Sequence, residues 1–476
     1  MKTDLLLLSQ EETHPFYSPV NSYFLEPLLA PPALPLGKFS AAPPLGLTLL
    51  ATAANAAGLR AVPLYNFFSS EKEKARLVAE LENKPFAAGI STTHTFRPET
   101  AREITDLVKK LSPGTHLVVG GPGAEWRPAL RPPGCYTVAG PGEETLPELL
   151  AALKAGTDPG LVPGVILPGA DAPGRPRAAA PMEAQPRPDW GLYPAPPSGV
   201  AVQGSRGCRR RCGFCSYSAP YAARSAASVL AELRANRDRW GIRRFRFTDS
   251  DLTCDPARAL ELCRGLAADG DFSWTCFARA DGLLTPGLAE AMRRAGCLWV
   301  FIGAESGSDE ILRRMDKGCT TAELREGVAA ARAAGLGVHG NFVTGYPGET
   351  RATLAETLAF AKTSGFDTVY FSPFQVRSPG IPALAQGGLE LSGEGWRHAT
   401  MSSEEMLKYT QALLREFSAD PAAPPPGSEA LFLLFSELSP GAFRSGALDF
   451  FGAFKRWHAG GPGDKAAARR TMEKYL

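Results

Sequence analysis

The chain has 476 residues, 44% apolar and 21% charged, with 51 basic against 49 acidic side chains for a formal net charge of +2. That length exceeds one ordinary core and predicts two or three domains, and the even charge excludes the basic footprint a nucleic-acid polyanion would need. The opening MKTDLLLLSQEE has only four consecutive apolar residues before it turns acidic, which is not a secretory segment. The uncharged stretch 39–59 is bracketed by Pro43-Pro44 and Gly58, leaving a helix of about 13 residues, short of the roughly 20 a bilayer requires. Nine cysteines without an export signal predict a reducing, cytoplasmic setting and no membrane partner.

Short apolar strands alternate with helical stretches over 1–156. Strands are expected at 4–8, 60–65, 86–91, 116–120 and 136–139, and helices at 45–57, 71–82, 99–111 and 144–154. That alternation predicts a doubly wound parallel sheet, with any ligand beyond the carboxyl ends of the strands. Residues 157–197 are rich in Pro, Gly and Ala and read as a connecting segment, whose aromatic end, PRPDWGLYP, docks onto a domain. Alternation resumes over 198–385, with strands expected at 200–203, 244–248, 273–278, 298–303, 337–344 and 368–374. The helices between them are expected at 225–238, 256–269, 285–295, 321–334 and 350–364. Six βα units are too few for a closed eight-stranded barrel, so the prediction is a partial (β/α)6 barrel. Residues 386–476 read as helical and loop-like, with an apolar stretch at 430–438 and a capped helix start in WRHATMSSEE at 396–405; a secondary reading gives that segment to a substrate pocket.

Within GCRRRCGFC, the cysteines Cys208, Cys212 and Cys215 are spaced by three residues and then two. Three thiolates can hold three irons of a cubane cluster and leave the fourth open to bind a small molecule. A zinc site lacking its fourth ligand, or coincidence, would give the same triplet. The other cysteines, at 135, 254, 263, 276, 297 and 319, show no second cluster spacing.

The order of motifs over about 40–385 resembles the radical S-adenosylmethionine enzymes with an N-terminal cobalamin-binding domain. The resemblance is carried by APPLGLTLLATAANAAGL, GIST, VVGGPGA and AGPGEETLPELL in the first part. In the second it is carried by the cysteine triplet, FRFTDSDLT, ARADGL, FIGAESGSDEILRRMDKG and FVTGYPGET. It implies a [4Fe–4S] cluster on the three cysteines and S-adenosylmethionine chelated to the open iron. In that reading Arg279 meets the carboxylate, Asp249 or Asp251 the ammonium, and Glu305 the ribose, while Gly345 and Gly348 let backbone approach the adenine. Ser91 and Gly120-Gly121 match the positions that admit the nucleotide tail of cobalamin. The family's Asp-x-His-x-x-Gly pattern is absent; its place reads Glu12-Thr13-His14-Pro15-Phe16-Tyr17, so His14 is either an axial ligand or, more simply, a solvated loop histidine. A single cysteine, Cys135, in the first part argues against the similar methylthiotransferases, which carry a second cluster there.

The resemblance implies radical cleavage of S-adenosylmethionine and, with cobalamin, methyl transfer to an unactivated position of a small-molecule or peptide substrate. The electron donor would be of ferredoxin or flavodoxin type. A radical rearrangement or cyclisation is the alternative within enzymes, and a non-catalytic iron–sulfur or corrinoid sensor the alternative outside them. Fold and cofactors leave the substrate open.

Overall fold

A computed structural model of the chain describes residues 3–12, 18–31, 43–195, 197–217, 220–393, 395–428 and 438–476. The chain divides into two compact units. One is built on 43–197 with the N-terminal strand; the other on 198–476 together with the helix Ser18–Leu29. Expected features at His14 and at 430–437 lie outside the described residues.

The first unit holds strands β1 (Leu5–Ser9), β2 (Ala61–Tyr65), β3 (Ala87–Ser91), β4 (His116–Gly120), β5 (Tyr136–Val138) and β6 (Val165–Ile166), in the spatial order β2-β1-β3-β4-β5-β6. All neighbours run parallel except β6, which is antiparallel to β5. The run Leu5–Leu8 is uniformly apolar because both faces of β1 are covered. Leu5 and Leu7 pack with the helices Leu45–Ala56 and Gly142–Ala155, and Leu6 and Leu8 with the helices Glu71–Glu82 and Pro98–Leu111. Strand order reverses between β1 and β3, which places the ligand crevice of such a sheet at their carboxyl ends. The expected elements are present to within two residues at each end. The short strand β6 was not foreseen, because two residues give no readable alternation. The aromatic end of the connecting segment does dock: Trp190 and Tyr193 are buried, Tyr193 shares a hydrogen bond of 2.9 Å with Thr48, and Asp189 N–H donates to Thr52 Oγ1 at 3.0 Å.

The second unit holds β7 (Val200–Val202), a ribbon of β8 (Ser205–Arg206) and β9 (Ala222–Ala223) flanking the cysteine loop, then β10 (Arg244–Phe247), β11 (Ser273–Ala278), β12 (Cys297–Glu305), β13 (Gly337–Thr344) and β14 (Thr368–Pro373). The six parallel strands β7 and β10 to β14 lie side by side in chain order, as expected of a partial barrel. Alternate residues turn Phe247, Trp274 and Cys276 into buried positions, with the Phe247 and Trp274 rings 5.3 Å apart. The open edge at β14 is covered by 425–427: Gly427 N–H donates to Val369 O at 2.8 Å and Val369 N–H to Pro425 O at 3.3 Å, which blunts a free strand edge.

The C-terminal region is not purely helical. Strands β15 (Glu390–Ser392), β16 (Gly395–His398) and β17 (Met401–Ser402) form an antiparallel sheet before the helices Ser403–Ala419, Pro440–Ala459 and Pro462–Glu473. Strands of two to four residues are too short to show a period in sequence. Ser402 and Glu405 make the expected capping box. The helix Ser18–Leu29 was missed because Pro27 inside it argues against a helix; tertiary contacts hold it, with the Tyr23 ring stacked on His458 at 3.7 Å. Among the described residues no helix is long and apolar enough to cross a membrane.

Gly327, inside the helix Thr321–Ala333, tests how closely the barrel is packed. Alanine in a helix interior ordinarily gains about 1 kcal/mol over glycine. Here a Cβ would lie 2.3 Å from the backbone oxygen of Ala280, the residue after Arg279. Gly327→Ala is expected to lower the melting temperature rather than raise it, as read by thermal denaturation.

Candidate functional site

The strand ends of the second unit gather the motif residues. The cysteine loop follows β7 and has little regular structure, so its shape depends on its neighbours. Gly213 N–H donates to Met315 O at 2.7 Å, and Gly213 O accepts from Ala383 N–H at 2.9 Å. A Cβ on Gly213 would lie 2.0 Å from the Tyr346 hydroxyl, so only glycine fits between the cysteines. Cys212 is buried, and Cys208 and Cys215 are half-buried. Cys208 Sγ accepts from Arg210 N–H at 3.5 Å, and Cys215 Sγ from Tyr217 N–H at 3.4 Å. Burial pushes the Cys212 and Cys215 thiols up; the Lys317 ammonium opposes this at Cys212 and the Tyr217 N–H at Cys215.

All three thiols are free. Among the described residues no three His, Cys, Asp or Glu side chains converge on one metal position. A cubane binds each thiolate through a different iron, so the sulfurs must border a volume rather than meet at a point. Three soft, unpaired thiols on one loop fit that demand.

The two aspartates weighed equally from sequence are not equivalent. Asp249 is fully buried and both its oxygens are engaged: Oδ1 accepts from Ser205 Oγ at 2.7 Å, Oδ2 from Gly204 N–H at 2.8 Å, and Arg258 lies 3.6 Å away. It fastens the strand that leads into the cysteine loop. Asp251 uses one oxygen, Oδ1, for Thr253 N–H at 2.9 Å and Thr253 Oγ1 at 2.6 Å. Burial pushes both carboxyls up.

Arg279 and Glu305 are buried within a chain of charges. Asp281 receives Arg279 through two parallel bonds, Nε at 2.8 Å and Nη2 at 3.0 Å, and also Arg210 of the cysteine loop at 3.1 Å. Arg279 Nη2 further donates to Lys317 O at 2.7 Å, and Lys317 Nζ donates to Glu305 Oε1 at 2.9 Å. Asp281 and Lys317 were not singled out in the sequence. Lys317 stands in RRMDKG, where an exposed lysine would read identically.

Gly345 and Gly348 both have left-handed backbone, with φ of +84° and +94°. Their missing side chains also make room within the protein: a Cβ on Gly345 would lie 2.3 Å from Met406 Cγ, and one on Gly348 2.9 Å from Arg314 Cδ. The C-terminal sheet is built into this loop. Trp396 Nε1–H donates to Phe374 O at 2.9 Å, His398 stacks on Trp396 and meets Gly345 O at 3.3 Å, and Thr400 Oγ1 donates to Glu349 O at 2.7 Å. Glu349 is the penultimate residue of FVTGYPGET and follows Gly348 directly. It is fully buried, its Oε2 accepts from Gly345 N–H, and its Oε1 has no hydrogen-bond partner among the described residues.

In the first unit, Ser91 ends β3 and Gly120 ends β4. Gly121 adopts φ +98°, and a Cβ there would lie 3.1 Å from Thr93 Oγ1 and 3.3 Å from Thr92 Oγ1. Thr92, not foreseen, stitches the two strand ends together: its hydroxyl donates to Gly120 O at 2.9 Å and accepts from Ala124 N–H at 2.7 Å. A hydroxyl-lined strand end beside a tightly packed, left-handed glycine fits a close-approaching ligand tail. Glu12, at the Asp position of the absent pattern, accepts from Phe96 N–H at 2.8 Å and Arg97 N–H at 3.0 Å just before the helix Pro98–Leu111.

Residues 202–361 match the Radical SAM superfamily, and residues 40–150 match the B12 binding domain. An uncharacterized methyltransferase of Pyrococcus horikoshii is 31% identical over 310 residues, 60% of this chain and 66% of that protein. The bacteriochlorophyllide d C-12(1)-methyltransferase of Chlorobaculum tepidum is 28% identical over 193 residues, 38% of this chain and 41% of that protein. The matched stretch thus spans less than two thirds of either relative. A radical S-adenosylmethionine methyltransferase from Kitasatospora setae, solved with cobalamin and a [4Fe–4S] cluster, superposes with a TM-score of 0.62 at 17% identity, covering 99% of both chains, which shows a shared fold.

Two outcomes follow from the carboxylates. Asp249→Asn should lose about 1–3 kcal/mol of stability in denaturant melts, since it weakens one of two buried bonds; Asp251→Asn keeps the engaged oxygen and should lose less than Asp249→Asn does. Burial pushes Glu349 from its ordinary 4.5 up to about 8. In the unfolded chain this group ionises first, so its contribution is complete below the ordinary carboxylate range and is lost as pH rises toward the folded value, at up to about 1.4 kcal/mol per pH unit. Glu349→Gln should therefore gain stability relative to the parent as pH rises from acid to slightly alkaline, read by melts across that range.

Proposed function

Because the chain belongs to the radical S-adenosylmethionine enzymes that carry a B12-binding domain, we propose that it is a cobalamin-dependent methyltransferase acting on an unactivated position of a small molecule or peptide. The observation that carries this reading is the loop of three free thiols at the carboxyl ends of a six-stranded parallel sheet, with Asp251, Arg279 and Glu305 at the neighbouring strand ends. When bound, the cluster and S-adenosylmethionine supply a 5′-deoxyadenosyl radical for hydrogen abstraction, and cobalamin supplies the methyl group.

The chain's own residues hold and orient. Cys208, Cys212 and Cys215 would each take one iron. Asp251, with an oxygen left over, suits the ammonium of S-adenosylmethionine better than Asp249, whose oxygens are both engaged. Arg279 keeps Nη1 beyond its bonds to Asp281 and Lys317 and suits the carboxylate; Glu305 keeps Oε2 and suits the ribose. Gly345 places its loop for the adenine. Ser91, Gly120 and Gly121 would border the nucleotide tail of cobalamin. The methyltransferase names of the two curated relatives support the group transferred. A ferredoxin- or flavodoxin-type donor and a cytoplasmic setting suit nine unpaired cysteines. Balanced charge supports a substrate other than nucleic acid.

Anaerobic reconstitution should load about four irons per chain, and the reduced protein should release 5′-deoxyadenosine from S-adenosylmethionine. Replacing Cys208, Cys212 and Cys215 by Ala should abolish both. A full cluster in the triple variant would overturn the assignment.

A further inference from the structure

We propose that Lys317 is a positioning residue for the cofactor site, acting through Glu305. The inference rests on the reading that Glu305 meets the ribose of S-adenosylmethionine.

Lysine is almost never buried without a partner. Lys317 is 5% exposed, and its ammonium sits 2.9 Å from Glu305 Oε1. Glu305 is 7% exposed and has φ +64°, a left-handed backbone in a residue other than glycine. Such a conformation persists only where the surroundings over-determine it. Three features do so here. The β12–β13 register shifts between Gly303 and Glu305. The Glu305 side chain folds back across Gly303, where a Cβ would lie 2.2 Å from Oε1 and 3.0 Å from Lys317 Nζ. The ion pair then fixes Oε1, and no hydrogen bond reaches Oε2 among the described residues.

Lys317 also ties this carboxylate to the rest of the site. Its carbonyl accepts from Arg279, and Met315, two residues earlier, accepts from Gly213 between the cysteines. Its ammonium lies 5.9 Å from the Phe214 ring of the same loop. The turn 315–317 therefore touches the cysteine loop, Arg279 and Glu305 together. A buried ion pair is weak evidence for stability as such, so a role in aiming one oxygen is the reading that uses the whole arrangement.

The test is equilibrium binding of S-adenosylmethionine to the anaerobic, cluster-loaded full chain, with iron content measured in parallel. Glu305→Gln and Lys317→Met are each expected to weaken binding by about tenfold, the loss of one charge-assisted hydrogen bond, with iron content unchanged. The double variant should bind no more weakly than either single one, because the lysine acts only through the glutamate. In an Asp251→Asn background the Lys317→Met factor should multiply in full. If Lys317→Met yields no folded protein, Gly303→Ala displaces the same carboxylate with no change of charge and should give the same pattern. Parental affinity in Lys317→Met or Gly303→Ala, or factors that multiply in the Glu305→Gln background, would overturn the role of Lys317. Parental affinity in Glu305→Gln would overturn the ribose reading, and this inference with it.

Discussion

The loop that carries Cys208, Cys212 and Cys215 has little structure of its own: the flanking ribbon β8–β9 pairs only two residues on each side. Its geometry comes from polar contacts made by strand ends. Asp249, at the end of β10, takes both Gly204 N–H and the Ser205 hydroxyl, so the chain leaves β7 at a set angle. The Gly213 peptide is then gripped on both sides, by Met315 O and Ala383 N–H. Remove either grip and the thiols keep their spacing in sequence but lose their placement in space. Everything else at the site presupposes those two attachments.

The second requirement is charge. Arg210, Arg279, Asp281, Lys317 and Glu305 form one continuous hydrogen-bonded chain beside Cys212. Buried charges are tolerated only when paired and hydrogen-bonded, and here buried Arg279 and Lys317, like the exposed Arg210, each have a carboxylate within 3.1 Å. Three cations against two acids leave one positive charge in excess next to a loop of thiols. That excess favours anions at this end of the barrel, whether thiolates or a carboxylate ligand.

The C-terminal region takes part in the same loops. Met406 and Trp396 occupy the space that a side chain at Gly345 would need, and His398 and Thr400 bond the backbone on either side of Tyr346-Pro347-Gly348. The glycines of this motif therefore answer two demands at once, left-handed backbone and close packing from behind. The first unit repeats the theme on its own sheet, where Thr92 and Thr93 crowd Gly121.

By itself the sequence determined the alternating strand-and-helix plan of both units and the motif residues at their strand ends. Buried parallel strands need apolar runs and their helices need periodic faces, so both units were legible from local pattern, as were the cysteines, whose spacing is contiguous. Tertiary structure decided which of the expected contacts have an oxygen or nitrogen to spare. Asp249 and Asp251 lie two residues apart in one motif, and only their partners, Ser205 and Gly204 for one and Thr253 for the other, separate a structural carboxylate from an available one. Lys317 and Asp281 gave no signal, because burial and ion pairing arise between segments distant in the chain. The helix Ser18–Leu29 was hidden by its internal proline, Pro27, and the strands β15–β17 by lengths of two to four residues.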